Sequence, residues 1–254
     1  FARVASGQID PADAARTVDA HYGAAVEGLA DAVPDPDRDA RTGTAEVVLG
    51  QWKTAAQIAD ILPRLASRGH GALATRVDAD KAAAVAARVP GLIVHADAHA
   101  VELPAREPRS MEGTVCVVAA GTSDLPVVAE AEVAARYLGL HAQRIVDVGV
   151  AGLHRLLARL DDIRTADVVI AVAGMEAALP SVLAGLVKAP VIAVPTSIGY
   201  GVGAGGWVAM AGMLTSCSPG IAVVNIDNGV GAAMLARRIV AVGRAGAHLR
   251  PAAV

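Results

Sequence analysis

The segment Ala120-Gly121-Thr122-Ser123-Asp124 decides the fold class, because it ends an apolar run and opens a helix-length segment. The run before it, Thr114-Val115-Cys116-Val117-Val118, has the composition of a buried strand. This order recurs to the end of the chain. It predicts strands near Val115, Ile145, Val168, Val191 and Ala222, and helices that begin near Asp124, Gly152, Glu176, Gly206 and Gly229. Short apolar strands that alternate with helices indicate an α/β fold with a buried parallel sheet and right-handed crossovers.

The first hundred residues predict a smaller α/β unit. Asp10-Pro11 is typical of a helix start, and the apolar pattern predicts a helix from there to about residue 30. We expect strands over 45–49, 71–77 and 91–95, and helices over 53–67 and 80–89. Two prolines among alternating charges then indicate an exposed linker. The predicted organisation is an amino-terminal α/β domain with a leading helix over 1–103, a linker over 104–112 and a catalytic domain over 113–254.

Composition excludes several classes of function. The 254 residues are 54% hydrophobic but only 2% aromatic, and the formal net charge is -3. Few aromatic side chains and no basic excess argue against binding to nucleic acid or to an anionic membrane. The longest apolar stretches are far shorter than the roughly 20 residues that span a bilayer. No charged and apolar leader opens the sequence, so we expect a cytoplasmic protein.

Four polar stretches come after apolar runs, and we expect them to meet at the carboxyl edge of the sheet, where α/β folds bind ligands. These stretches are residues 120–124, 173–176, 195–201 and 215–219. In the first, backbone amides and hydroxyls at a helix start suit a phosphate or a ribose, although Ser123 and Asp124 are also ordinary helix caps. Glu176 is either a functional carboxylate or a first-turn acid that the helix dipole favours.

Three further segments have both a functional and a plain structural interpretation. The loop over 197–206 contains five glycines, which favours a mobile loop over a ligand, with Tyr200 placed to cover a ring or a ribose. The segment over 50–54 joins a strand to a helix, so Lys53 either faces an anion or is a solvated lysine. The segment over 225–229 could touch phosphate-bound Mg²⁺ through Asp227, but it also fits a normal cap and turn.

The cysteines and histidines give weaker signals. Cys116 lies in a strand and is expected to be buried, whereas Cys217 lies in a polar segment where a thiol is accessible. The run His95-Ala96-Asp97-Ala98-His99 would place both imidazoles and the carboxylate on one face of a strand, as in a metal site. The same run also fits a polar strand end, and no fourth ligand is visible.

Several motifs resemble those of the phosphoribosylaminoimidazole carboxylase superfamily. They are Gly121-Thr122-Ser123-Asp124, the segment over 171–180 and the segment over 191–196. This resemblance covers residues 113 to about 244. It implies a flavodoxin-like three-layer sandwich that usually assembles as an octamer. The purine-biosynthetic members carry a Ser-Ala-His-Arg motif after the second strand, where this chain has Val148-Gly149-Val150-Ala151-Gly152.

One branch of that superfamily is more similar, namely the pyridinium-3,5-biscarboxylic acid mononucleotide synthases of nickel-pincer nucleotide biosynthesis. The similar segments are residues 147–155, 197–201, 213–217 and 224–229, together with 41–48 and 50–54 in the first domain. The resemblance implies that nicotinic acid adenine dinucleotide is carboxylated with CO₂ or bicarbonate and cleaved to release AMP, with Mg²⁺ present. It implies Cys217 as nucleophile and Glu176 or Asp124 as base.

The resemblance also implies a set of substrate-binding residues and a metal position. The expected substrate-binding residues are Gly121, Thr122, Ser123, Gly149, Gly174, Met175, Ser197, Gly199, Tyr200, Gly201, Lys53 and Arg41, and Asp227 is the expected contact for Mg²⁺. Two other functions stay open at this point: a purine-type aminoimidazole ribonucleotide carboxylase or mutase, and a non-catalytic nucleotide-binding protein. The high apolar content of residues 206–214 also predicts a helix at a subunit interface of a homo-oligomer.

Overall fold

The computed structural model describes residues 2–18, 32–107 and 109–247. Two short helices, α1 (Ala2–Ala5) and α2 (Pro11–Val18), open the chain. The Asp10 carboxylate accepts the backbone N–H of Ala12 across 2.8 Å, which confirms the predicted helix start. The predicted continuation of this helix to residue 30 lies outside the described residues.

The first domain is a mixed four-stranded sheet with helices. In chain order its elements are α3 (Arg38–Thr42), β1 (Val47–Leu49), α4 (Ala55–Leu65), β2 (Ala72–Thr75), α5 (Ala79–Ala86), β3 (Ile93–His95) and β4 (Ala100–Leu103). The strand order is β1-β2-β4-β3, with β1 and β2 parallel and β4 antiparallel to both of its neighbours. Helix α4 begins at a capping box in which Thr54 and Gln57 satisfy each other's backbone N–H groups.

The second domain has a five-stranded, fully parallel sheet. Its elements are β5 (Thr114–Ala119), α6 (Leu125–Tyr137), β6 (His141–Ile145), α7 (Leu153–Leu157), α8 (Leu160–Ile163), β7 (Val168–Ala173), α9 (Leu179–Ala184), β8 (Val191–Pro195), α10 (Trp207–Leu214), β9 (Ile221–Val223) and α11 (Gly229–Ala247). The strand order β6-β5-β7-β8-β9 is the doubly wound order of flavodoxin-like folds. All five predicted strands and four of the five predicted helix starts are therefore confirmed. The helix expected to begin near Glu176 begins at Leu179, so Glu176 is not a first-turn acid of α9.

Alternate side chains of the buried strands point to opposite faces of this sheet, and each face is covered by helices. On β5, Val115 and Val117 pack in the core that contains α6 and α11, whereas Cys116 and Val118 pack in the core that contains α9 and part of α10. The result is a three-layer sandwich with two aliphatic cores, which agrees with the low aromatic content.

The two domains share one of these cores. Leu73 and Ala100 of the first sheet lie in the same buried cluster as Val128 and Ala131 of α6. The Tyr137 hydroxyl of α6 donates to the carbonyl of Gly71 across 3.3 Å. The first domain is therefore packed directly against α6, the helix that follows the segment 120–124.

Two expectations about the first domain are wrong. Strand β4 over 100–103 was not predicted. It pairs with both β2 and β3, and it ends directly before Pro104. The predicted strand character of residues 96–99 is also wrong, because β3 ends at His95 and residues 96–98 form a 3-10 turn. His99 closes that turn in the left-handed region with φ 46°.

Candidate active site

A cavity of about 290 Å³ lies at the carboxyl edge of the parallel sheet. It is located where the chain order of the strands reverses, between β5 and β7, which is where doubly wound folds bind ligands. The segments that follow β5, β6 and β7 all contribute to its lining, together with Ile198 after β8. The lining includes seven of the predicted site residues: Gly121, Ser123, Asp124, Gly149, Gly174, Met175 and Glu176.

Asp124 is a buried carboxylate held by two hydrogen bonds. Its Oδ2 accepts the N–H of Gly121 across 3.0 Å, and its Oδ1 accepts the hydroxyl of Thr196 across 2.8 Å. Burial raises the pKa of Asp124 above its usual range, and the bonds from Thr196 and Gly121 oppose that rise. The side chain both closes the turn that precedes α6 and presents a carboxyl group that holds its proton more strongly than an exposed aspartate.

Glu176 stands in a tight turn between β7 and α9. Met175 and Ala177, on either side of it, have positive φ angles of 52° and 54°. The N–H of Met175 donates to the carbonyl of Ile198 across 3.1 Å, which ties this turn to the loop after β8. Non-glycine residues in this region are strained, and such strain often accompanies function. Glu176 is exposed and belongs to the lining of the cavity.

Two glycines in the cavity wall are required by close backbone contacts. A Cβ on Gly174 would lie 2.2 Å from the carbonyl oxygen of Ile198. A Cβ on Gly149 would lie 2.8 Å from the carbonyl oxygen of Ala120. The wall formed after β6 therefore has no room for a side chain at Gly149, and the cavity is bounded there by backbone.

Asp227 joins the loop after β9 to the loop after β8. Its Oδ1 accepts the N–H of Ser197 across 2.8 Å, and its own N–H donates to the carbonyl of Pro195 across 2.8 Å. Its carbonyl accepts a hydrogen bond from Nη2 of Arg76, 2.7 Å away in the first domain. Arg76 thus links the first domain to the Ser197 loop through Asp227.

The glycine-rich loop after β8 forms 3-10 turns over Gly201–Gly206 before α10 begins. A Cβ on Gly199 would lie 2.3 Å from the carbonyl oxygen of Gly203, so the loop folds back closely on itself. Tyr200 is 78% exposed. Ile198 of this loop lines the cavity described above, and Ser197 and Ile198 both line a second cavity, of about 460 Å³, between the two domains. Tyr200 lines neither of these two cavities.

The expected position of Cys217 is wrong. Residues 215–219 come after helix α10 and directly before β9, so they lie toward the amino end of a strand rather than following its carboxyl end. The apolar run before them is a helix. The Cys217 thiol is exposed, and Cys217 lines neither of the two cavities described here.

The loop that carries Cys217 is nevertheless attached to the helix that follows Glu176. Ser216 Oγ is 2.7 Å from Ser181 Oγ in α9, and Ser218 Oγ donates to the carbonyl of Ser181 across 2.7 Å. Earlier in α10, a Cβ on Gly212 would lie 2.8 Å from the carbonyl oxygen of Glu176. The end of α10 and the Cys217 loop therefore run alongside the Glu176 segment.

Two predicted substrate-binding residues of the first domain, Arg41 and Lys53, do not belong to the lining of the two cavities. Arg41 forms a bidentate pair with the Asp35 carboxylate, with N–O distances of 3.0 and 2.6 Å. Neither Arg41 nor Lys53 lines the two cavities, although Gln51, two positions before Lys53, lines the larger one. Their assignment to substrate stays a prediction.

The histidine cluster does not form. His95 Nε2 lies 2.9 Å from Glu102 Oε2 on β4. His99 instead lines the cavity of about 460 Å³ between the two domains. Across the described ranges no group of three or more His, Cys, Asp or Glu side chains could hold a metal ion. No described helix has the length and apolar character needed to cross a membrane.

The second cavity, of about 460 Å³, lies between the two domains and adjoins the first. Both cavities are lined by Ser123 and Ile198. Two charged residues of its lining, Arg76 and Glu130, were not among the predicted site residues. Glu130 is 5% exposed, its Oε2 accepts the N–H of Gly229 across 3.0 Å, and its Oε1 is 3.5 Å from Arg76 Nε. Burial raises the pKa of Glu130, and Arg76 opposes that rise. The signal for this site was Glu130, which lies in the mostly apolar helix α6 together with Glu132 and Arg136.

Comparison with known proteins identifies the family of each domain. The family model described as LarB/PurE-like N-terminal domain matches residues 26–105, and the model described as AIR carboxylase matches residues 114–250. An uncharacterised protein of Methanocaldococcus jannaschii is 39% identical over 216 residues, covering 82% of this chain and 83% of that protein. The N5-carboxyaminoimidazole ribonucleotide mutase of the same organism is 35% identical over 135 residues, covering 50% of this chain and 79% of the mutase.

Solved structures of PurE proteins are also similar. The crystal structure of Treponema denticola PurE has a TM-score of 0.40 and 16% identity, covering 54% of this chain and 94% of that chain. A variant of the PurE2 protein from the same organism has a TM-score of 0.40 and 18% identity, covering 55% of this chain and 95% of that chain. From the family models and the relative matched along most of its length, the chain belongs to the AIR carboxylase family and carries a LarB/PurE-like N-terminal domain.

Proposed function

We propose that this protein carboxylates the pyridinium ring of nicotinic acid adenine dinucleotide and hydrolyses its phosphoanhydride. The products would be pyridinium-3,5-biscarboxylic acid mononucleotide and AMP. The observation that favours this reaction over a purine-type reaction is the wall of the small cavity at Gly149. The purine-type enzymes carry a histidine motif at this place, whereas in this chain the Gly149 backbone packs against Ala120 and leaves no room for a side chain. His154, which follows shortly after, does not line the cavity.

The chemistry requires a nucleophile, because an electron-poor pyridinium carbon cannot attack CO₂. If the Cys217 thiolate forms a C–S bond to a neighbouring ring carbon, the ring nitrogen loses its positive charge and the ring becomes an enamine. The enamine carbon then forms a C–C bond to CO₂, whose displaced electron pair becomes the carboxylate. A base accepts the proton from that carbon. Breaking the C–S bond returns its electron pair to sulfur and restores the aromatic ring.

Cys217 is proposed as this nucleophile on two supporting observations. Its thiol is exposed, whereas Cys116 is buried and its pKa is raised to about 12 by burial, so Cys116 holds its proton at neutral pH. The hydrogen bonds of Ser216 and Ser218 to Ser181 also keep the Cys217 loop beside the helix that follows Glu176.

Glu176 is proposed as the base and Asp124 as the alternative. Glu176 is exposed, lines the cavity and stands between two residues of positive φ, and as the base it would accept the ring proton. Asp124 is buried, and both of its oxygens already accept hydrogen bonds from Gly121 and Thr196. These bonds favour a positioning role for Asp124, at the start of the helix whose amides would face a phosphate.

The described residues fit a Mg²⁺ ion held mainly by substrate phosphates, because Mg²⁺ commonly uses one or two carboxylates together with phosphates and water. Asp227 is the carboxylate proposed for that contact, and it lines the larger cavity. When bound, the ion would supply positive charge to the phosphoanhydride. Asp227 itself holds the Ser197 loop through its hydrogen bond to the Ser197 N–H.

A homo-oligomer, an octamer by resemblance, is part of the proposal. The loop after β8 and helix α10 expose four large side chains, Tyr200, Val202, Trp207 and Leu214, with Trp207 exposed by 68%. Exposed large apolar side chains on neighbouring segments of the chain favour a subunit contact there. Light scattering that shows a stable monomer at micromolar concentration would contradict it.

The test compares substrates. The protein is incubated with bicarbonate, Mg²⁺ and either nicotinic acid adenine dinucleotide or aminoimidazole ribonucleotide, and the products are separated by mass spectrometry. The proposal expects a carboxylated mononucleotide and AMP from the dinucleotide. Turnover of aminoimidazole ribonucleotide alone would favour the purine-type reaction that the mutase relative suggests. Dinucleotide that binds without change would favour a non-catalytic binding protein.

A further inference from the structure

Arg76 of the first domain contacts two separate segments of the second domain. Its Nη2 donates to the carbonyl of Asp227 across 2.7 Å, and its Nε lies 3.5 Å from Oε1 of Glu130. Arg76 directly follows β2 and has a positive φ of 55°, and Asp227 has a positive φ of 56°. Such angles are uncommon for residues other than glycine and persist where surrounding contacts hold them. The hydrogen bond therefore joins two residues that both have a strained backbone.

Glu130 fixes the position of the Arg76 guanidinium relative to helix α11. Its side chain is buried in α6, and its Oε2 accepts the N–H of Gly229, the first residue of α11, across 3.0 Å. Gly229 has no room for a side chain, because a Cβ there would lie 2.8 Å from the carbonyl oxygen of Val127 in α6. A carboxylate at this position also faces the positive end of the dipole of a 19-residue helix. Glu130 is therefore held by α11 through one oxygen and pairs with Arg76 through the other.

Asp227 connects this ion pair to the loop after β8. Its Oδ1 accepts the N–H of Ser197 across 2.8 Å. The carbonyl of the next residue, Ile198, accepts the N–H of Met175 across 3.1 Å, and Met175 directly precedes Glu176. A series of contacts therefore runs from the first domain through Asp227 to the turn that carries the proposed base.

We propose that Arg76 and Glu130 are positioning residues, through which the first domain holds the Ser197 loop and the Glu176 turn in the arrangement that carboxylation needs. Neither side chain has to touch the substrate in this role. The inference rests on the proposed function, because that function gives the Glu176 turn its part in the reaction. It also explains what the first domain adds, since the AIR carboxylase match over 114–250 contains Glu130 and the Ser197 loop but not Arg76.

The first test measures amide hydrogen exchange by mass spectrometry on the complete protein, without substrate. Arg76→Met removes the cation and keeps a long unbranched side chain, whereas Glu130→Gln removes the charge and keeps the shape. Tyr137→Phe is the matched control. It also removes a hydrogen bond between the domains, from the Tyr137 hydroxyl to the carbonyl of Gly71, but this bond does not lead to the Ser197 loop.

We expect exchange in peptides that contain residues 196–201 to become roughly tenfold faster in Arg76→Met and in Glu130→Gln, the factor by which loss of a hydrogen bond to a charged group shifts a local equilibrium. Exchange in β5 and β7 should stay unchanged, and Tyr137→Phe should leave the loop protected. Equal acceleration in β5 and β7 would mean that the two residues only stabilise the fold, and it would overturn the proposal. Unchanged loop exchange in both variants would overturn it as well.

The second test measures carboxylation kinetics with nicotinic acid adenine dinucleotide. A misplaced loop should lower kcat by roughly tenfold or more in each variant and leave KM within about threefold of the unmodified protein. The double variant should resemble the slower single variant, because Arg76 and Glu130 act through the same contact. A higher KM with unchanged kcat would indicate direct substrate binding and would overturn the positioning role. Each single variant tests the role by itself if the other does not fold.

The two proposals fail separately, because the exchange measurement needs no turnover. If loop exchange is unaffected by both variants while the protein carboxylates the dinucleotide, the positioning role is wrong and the proposed function stands. If both variants accelerate loop exchange alone while the unmodified protein carboxylates no dinucleotide, the hold of Arg76 and Glu130 on the loop stands and the proposed reaction is wrong.

Discussion

The Thr196 hydroxyl donates a hydrogen bond to Oδ1 of Asp124 across 2.8 Å, and both side chains are buried. This bond connects the end of β8 to the turn that begins α6. It stabilises the charged form of a carboxyl group whose pKa is raised by burial. The bond therefore connects two segments at the carboxyl edge of the sheet and opposes the rise in the pKa of Asp124.

Thr196→Val removes the hydroxyl and keeps the side-chain shape. We expect it to lower the free energy of unfolding by about 1–3 kcal/mol at neutral pH, because a buried carboxylate oxygen loses its donor. The pKa of Asp124 should rise further. Urea denaturation measures the stability change. Thr196→Ser keeps the hydroxyl and is the control, and equal stability of the Val and Ser variants would contradict this role.

Glu130 makes stability depend on pH. Its pKa is raised in the folded protein, so between the ordinary value of 4.5 and the raised value the folded state binds more protons than the unfolded state. Stability therefore falls as pH rises through that window. We expect the unmodified protein to lose stability relative to Glu130→Gln when urea midpoints are followed upward from about pH 4.5. Parallel pH profiles for the two proteins would contradict the shift.

Glu176→Gln tests the proposed base. The side chain is exposed and contributes no hydrogen bond that the fold needs, so we expect the variant to fold and bind the dinucleotide normally. Carboxylation should slow by roughly a hundredfold or more if Glu176 accepts the ring proton. Single-turnover rates and equilibrium binding separate the two effects. Normal turnover in this variant would move the role to Asp124.

Cys217→Ser tests the proposed nucleophile. We expect it to abolish carboxylation while dinucleotide binding persists, since a serine hydroxyl is a far weaker nucleophile than a thiol. The dinucleotide NAD should form a stalled adduct with the unmodified protein, seen as dihydropyridine absorbance that is absent from the variant.

Cys116→Ser is the matched control for this experiment. Cys116 is buried in β5 among apolar side chains, so its replacement should cost stability and leave most of the turnover. Carboxylation at the normal rate by Cys217→Ser would exclude the covalent route.

The sequence predicted the second domain well, for a physical reason. Each buried parallel strand is a nearly continuous apolar run, as at Val168–Ala173 and Val191–Pro195, and a glycine or a polar residue follows it. Local composition therefore indicates both the strand and the loop at its carboxyl end. This rule alone predicted that Gly121, Asp124, Gly174 and Glu176 would lie at one cavity, whereas Gly149 was predicted from the family resemblance.

The errors come from features that local composition does not encode. The apolar run before Thr215 is helix α10, as the sequence predicted, so residues 215–219 follow a helix and the rule for loops at the carboxyl ends of strands does not apply to them. The short turn at residues 96–98 interrupted a pattern that alternates like a strand. The contact between Arg76 and Asp227 joins residues 151 positions apart, and it depends on how the domains pack.

The most direct test of the central claim is the fate of labelled bicarbonate. The unmodified protein is incubated with nicotinic acid adenine dinucleotide, Mg²⁺ and ¹³C-bicarbonate, and the pyridine product is analysed by mass spectrometry. The account predicts that one labelled carboxylate enters the pyridinium ring and that AMP appears in equal amount. A pyridine nucleotide recovered without label, in a preparation shown to bind the dinucleotide, would contradict the account.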